Sequence, residues 1–158
     1  MRITAKADSF EKAQNLVKPI AEEVIKRLGD NVYSTDEKEN IEDALVRLLR
    51  KNNLTISVAE SCTGGLTCSK IVNVGGASEV FKYGFITYAN EAKMKLLGVS
   101  KDTLEKYTAV SEKTAREMAC GAIKESGADV AVSITGYAGP FDLSLIHISE
   151  PTRPEPIS

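Results

Sequence analysis

The chain of 158 residues carries 20 Lys and Arg against 22 Asp and Glu, mixed along its length, for a formal net charge of -2. That balance excludes a nucleic-acid surface built on bulk positive charge, and no apolar run approaches the roughly 18 residues of a membrane span or the apolar stretch of an export signal. Cys62, Cys68 and Cys120 form an odd set without metal-ligand spacing, so the expectation is free thiols in a reducing, cytoplasmic compartment, with no metal and no membrane or nucleic-acid partner.

Arg2 to Ala7 alternates as a short strand, and Ser9 caps a helix in which Leu16, Ile20, Val24, Ile25 and Leu28 recur at helical spacing until Gly29 stops it. Val32 to Ser34 reads as a second strand, so residues 1–35 are predicted to be a small βαβ remnant, too small to bury both faces of a sheet. The polar stretch Thr35 to Asn40 leads into the main domain, expected over 36–140. There Ile41 to Asn52 is predicted as a helix, Leu54 to Val58 as a strand and Leu66 to Val72 as a helix broken by Gly75-Gly76. Val80 to Tyr88 follows as a strand, Glu91 to Leu97 as a short helix closed by Gly98, and Ser100 begins another. Ser111 caps a longer helix to Glu125, and Gly127 closes it ahead of a buried strand, Val130 to Ile134. Helices alternating with apolar strands predict an α/β fold, a layered α/β/α sheet domain. Beyond Asp142 no period continues and Pro151, Pro154 and Pro156 crowd together, so residues 141–158 are expected to be a disordered tail.

Chemistry is expected at three junctions. In Val58-Ala59-Glu60-Ser61-Cys62-Thr63-Gly64-Gly65 a strand gives way to a helix start, where unpaired N–H groups and small residues can admit an oxyanion or phosphate beside a candidate nucleophile, Ser61. The competing interpretation is a Ser/Thr cap with a glycine turn. The only histidine, His147, lies in the tail, which makes a Ser-His-Asp triad or a histidine zinc site improbable and leaves a lysine as the alternative base. Among Lys70, Lys82, Lys93 and Lys95, Lys93 stands out because Thr87 to Lys93 runs from a strand end into a helix start; a solvated Lys93 behind an Asn90 cap is the competing interpretation. Ser133 to Pro140 repeats the plan, with Gly136 and Gly139 as turn residues in the plainer account. Cys68 and Cys120, inside helical runs, read as small core residues.

Ala59-Glu60-Ser61-Cys62-Thr63-Gly64-Gly65, Gly84 to Lys93, Ala109-Val110-Ser111-Glu112 and Ser133 to Pro140 together closely resemble the C-terminal domain of the CinA family, over roughly Ile41 to Pro140. The resemblance implies a nicotinamide-nucleotide amidase, which hydrolyses nicotinamide mononucleotide to nicotinate mononucleotide and ammonia in pyridine-nucleotide salvage and needs no cofactor. It further implies Ser61 as nucleophile, with Lys93 or Tyr88 taking its proton, and N–H groups around Thr63 and Gly64, in the loop that includes Gly65, stabilising the oxyanion. Asn90 would orient the substrate or Lys93, and Thr135 and Gly136 would border the ribose phosphate.

Arg2 to Ala7 and Val32 to Asp36 resemble the small middle domain of full-length CinA proteins, which implies a chain cut from a longer parent. After Pro140 the family pattern stops, and Leu143 to Pro154 resembles translated sequencing-adapter DNA, so a truncated gene with an artificial tail is expected. Two other outcomes stand beside the amidase: a non-catalytic nucleotide-binding or regulatory module, and an inactive truncated fragment. An exposed sheet edge would favour a homo-oligomer.

Overall fold

The computed structural model describes residues 2–137 and the backbone of 146–149. The chain divides into two compact units, Met1–Ala44 and Leu45–Ser158.

In the first unit, helix α1 (Phe10–Leu28) starts where the Ser9 side chain accepts the Lys12 N–H at 3.2 Å, which satisfies one of the open donors of the first turn. Its Val17, Ala21, Val24 and Leu28 line an open cavity of about 840 Å³ with Ile3, Val32 and Tyr33, and no residue of α1 is buried. The two strands expected at Arg2–Ala7 and Val32–Ser34 do not form, so the βαβ remnant is corrected to a helix with irregular flanks. A ribbon of two strands is marginal in water, and one helix with so little apolar cover cannot stabilise it.

The second unit is built on a sheet of order β2-β1-β3-β4. Strand β1 (Ile56–Glu60) lies parallel to β2 (Phe81–Ile86) on one side and to β3 (Val130–Gly136) on the other. Every residue of β1 is buried, as a strand covered on both faces must be. Alternation sorts its side chains. Ile56 and Val58 pack with Val46 and Leu49 of α2 (Ile41–Lys51) and Ile71 of α3 (Leu66–Val72). Ala59 packs with Leu97 of α4 (Asn90–Leu97), Leu104 of α5 (Lys101–Tyr107) and Met118, Ala119 and Ala122 of α6 (Glu112–Ser126). Helices therefore cover both faces of the sheet, which is the layered α/β/α arrangement expected.

Strand β4 (Ile146–Ser149) lies antiparallel beside β3, with Thr135 opposite His147. These four residues belong to the stretch expected to be disordered. The β-branched alternation Ile146-His147-Ile148 suits a strand, and the pairing satisfies backbone groups along an otherwise open edge of β3. The rest of that expectation, residues 141–145 and 150–158, lies outside the described residues.

α4 and α6 meet closely at Gly121, where a Cβ would stand 1.9 Å from the Leu97 carbonyl oxygen. Backbone cannot yield as a side chain can, so Gly121→Ala must displace the end of α4. We expect it to cost about 3 kcal/mol, the upper part of the usual range for overpacking, and so to lower the melting temperature by about 6–12 °C. A variant melting with the parent chain would show that the two helices separate without penalty.

Candidate functional site

The end of β1 is fastened from both neighbours. The Ser61 N–H donates to the Ile134 carbonyl at 2.9 Å, and the Glu60 carbonyl accepts the Thr87 N–H at 2.7 Å. Glu60 is in register with Ile86 on one side and Ile134 on the other, so the C-terminal ends of three parallel strands lie level. Open α/β sheets gather functional side chains at such ends.

Lys93, in the first turns of α4, returns to this point. Its Nζ donates to the Thr87 and Tyr88 carbonyls at 2.7 and 2.8 Å and lies 3.0 Å from Ser61 Oγ. The side chain is 0% exposed, and no carboxylate pairs with it among the described residues. Burial holds the amine below its ordinary value of 10.5, and the nearby Cys62 thiol opposes this more weakly. The geometry fixes what the neutral amine does. Carbonyls can only accept, so two of its hydrogens go to Thr87 and Tyr88; the charged amine donates its third to Ser61 Oγ, and the neutral amine turns its lone pair toward the Ser61 hydroxyl.

Glu60 is the second buried charge, also 0% exposed. One carboxylate oxygen accepts the N–H groups of Gly65 and Thr67 at 3.0 and 3.2 Å, and the other accepts that of Cys68 at 2.7 Å. Burial pushes this carboxyl up, but hydrogen bonds from Cys68 and Thr67 help hold it below its ordinary 4.5. Beside it the Cys68 thiol, half-buried and facing that carboxylate, is pushed up to about 12, so it stays protonated and unreactive. Gly65 makes this closure possible with φ of +105°, a conformation L side chains rarely adopt, and a Cβ there would stand 3.0 Å from the Ile86 side chain.

Ser61 and Lys93 are thus brought together. Tyr88 is 66% exposed, and its carbonyl, not its phenol, is what reaches Lys93. In the Ser61 loop, the Gly64 N–H donates to the Ser61 carbonyl at 3.2 Å and the Gly65 N–H is taken by Glu60, whereas those of Cys62 and Thr63 have no partner among the described residues. Asn90 is exposed at the start of α4. Thr135 is buried and donates its hydroxyl to the Ala109 carbonyl at 2.7 Å, while Gly136, half-buried, ends β3. Cys68 packs inward as expected, but Cys120 is exposed on α6. Sequence reasoning missed the structural part of Glu60. The available signal was a lone charge at the end of a strand whose other residues are small or apolar.

Among the described residues, no group of three His, Cys, Asp or Glu side chains could hold a metal ion, and no helix is long and apolar enough to cross a membrane.

The family model described as CinA C-terminal domain matches residues 38–144. A CinA-like protein of Kosmotoga olearia is 56% identical over 140 residues, which cover 89% of this chain and 34% of that protein. The chain thus spans about a third of the length of the curated relatives it matches. Among solved structures, a competence-damaged protein (CinA) superfamily protein from Escherichia coli is 42% identical with a TM-score of 0.63, covering 72% of this chain and 68% of that one. The competence/damage inducible protein CihA from Agrobacterium tumefaciens is 43% identical with a TM-score of 0.63, covering 65% and 62%.

Proposed function

The chain belongs to the CinA family, and from that premise we propose that its second unit hydrolyses a carboxamide, converting nicotinamide mononucleotide to nicotinate mononucleotide and ammonia. The observation that carries this reading is the 3.0 Å approach of a fully buried, carboxylate-free Lys93 amine to Ser61 Oγ. Ser61 Oγ attacks the carboxamide carbon while Lys93 takes its proton, and the carbonyl oxygen gains the negative charge. The N–H groups of Cys62 and Thr63, next in the chain and unpaired among the described residues, are the donors available to that oxyanion. On collapse the C–N bond breaks, Lys93 returns the proton to nitrogen, and ammonia leaves. Water, giving its proton to the same amine, then splits the acyl-serine ester and restores the hydroxyl. The free thiols Cys62, Cys68 and Cys120 support a reducing, cytoplasmic setting for this reaction.

Incubation of the chain with nicotinamide mononucleotide tests the reading. Ammonia and nicotinate mononucleotide are expected in equal amounts. Calorimetric binding of the nucleotide without ammonia would replace the amidase with a nucleotide-binding module.

A further inference from the structure

We propose that Glu60 is a specificity-determining residue: it is an internal anion seated at the start of α3 that keeps phosphate out of the Ser61 loop, so that a nucleotide enters with its uncharged carboxamide end first. The inference rests on the amidase reading for the identity of the substrate, but the exclusion of phosphate is a property of this chain alone.

A strand–turn–helix junction with two glycines offers backbone N–H groups that elsewhere cradle phosphate. Here those groups are already used. The Gly65, Thr67 and Cys68 N–H groups all donate to Glu60, two to one carboxylate oxygen and one to the other, and the Gly64 N–H donates to the Ser61 carbonyl. Any phosphate arriving there would have to displace a carboxylate that is 0% exposed and held in its charged form by the same bonds. It would also meet that negative charge where water screens little. What the loop leaves open is the pair of N–H groups of Cys62 and Thr63 beside Ser61, matched to one uncharged carbonyl oxygen. Glu60 does not touch the reacting atoms. It acts by occupying the rival binding mode and by fixing the turn that presents Ser61.

Backbone amide signals of the ¹⁵N-labelled full chain, titrated with inorganic phosphate, test this directly. In the parent chain, phosphate is expected to leave the Gly65, Thr67 and Cys68 signals unmoved. In Glu60→Gln, which keeps the side-chain length and removes the charge, saturable shifts at these residues are expected, with phosphate binding at least about tenfold tighter than in the parent. Saturable phosphate shifts at Gly65, Thr67 and Cys68 in the parent chain would overturn the proposal, as would a folded Glu60→Gln chain that still ignores phosphate. Should Glu60→Gln give no cooperative melt, the parent titration decides alone. A parallel titration with nicotinamide, expected to move the Cys62 and Thr63 signals, bears on the amidase reading separately. Its failure, with phosphate still excluded, would remove the substrate and leave the role of Glu60 standing.

Discussion

Ser61→Ala should reduce amide hydrolysis on the order of a millionfold, the scale of loss when a serine nucleophile is removed from a serine hydrolase, while leaving the fold and nucleotide binding in place. Two nearby groups cannot substitute for the hydroxyl. Cys68 is held protonated with its thiol pushed up to about 12, and the phenol-bearing side chain of Tyr88 is 66% exposed. Alanine in turn removes only one of the three hydrogen-bond partners of Lys93, because the Thr87 and Tyr88 carbonyls remain. The stability cost should therefore be about 1 kcal/mol, that of a single hydrogen bond. Ammonia release and a thermal melt together separate the two effects. A Ser61→Ala chain that still releases ammonia would mean that water attacks the amide directly.

Removing the base should cost less than removing the nucleophile. Lys93→Ala is expected to lower the rate by about 100- to 10,000-fold, the usual share of general acid–base catalysis. Lys93→Arg should be as inactive, because a guanidinium keeps its proton and cannot accept the one from Ser61. An active Lys93→Arg would show that only positive charge is needed. The pH profile follows from burial. The parent rate should rise with pH as the amine loses its proton, at a midpoint below the ordinary 10.5. Stability carries the same signature. Between the lowered value in the folded chain and 10.5, the unfolded chain holds a proton on Lys93 that the folded chain has released, so stability rises with pH over that window. The difference in stability between Lys93→Ala and the parent should therefore shift in favour of the parent as pH climbs toward 10.5, as read by denaturant unfolding at a series of pH values.

The alternation of apolar strands and capped helices was enough to predict three layers, and Leu66–Val72 was read from sequence with its observed bounds. Ser61 and Lys93 were legible because both sit at strand–helix junctions, although 32 positions separate them and only the level strand ends explain why they meet. What sequence could not show was where hydrogen bonds go. Tyr88 and Lys93 were both candidates for the base, and sequence could not show that the Tyr88 carbonyl, not its phenol, meets the amine. The helix start at Gly65 read as an open anion site because its donors are visible in any sequence, whereas the Glu60 carboxylate that uses them depends on the turn folding back by five to eight residues. Thr135 was expected to border the ribose phosphate, and sequence could not show that its hydroxyl donates to the Ala109 carbonyl. Strands at Arg2–Ala7 and Val32–Ser34 were predicted from local alternation, which says nothing about whether partner strands exist.

The protonation of one amine decides the mechanism. A ¹⁵N titration of the Lys93 side chain in the intact folded chain should give a midpoint below 10.5, with the neutral amine formed while Ser61 remains a hydroxyl. A midpoint at or above 10.5 would mean a cation rests against Ser61 through the working pH range, and a lysine in that state has no lone pair with which to prime the attack.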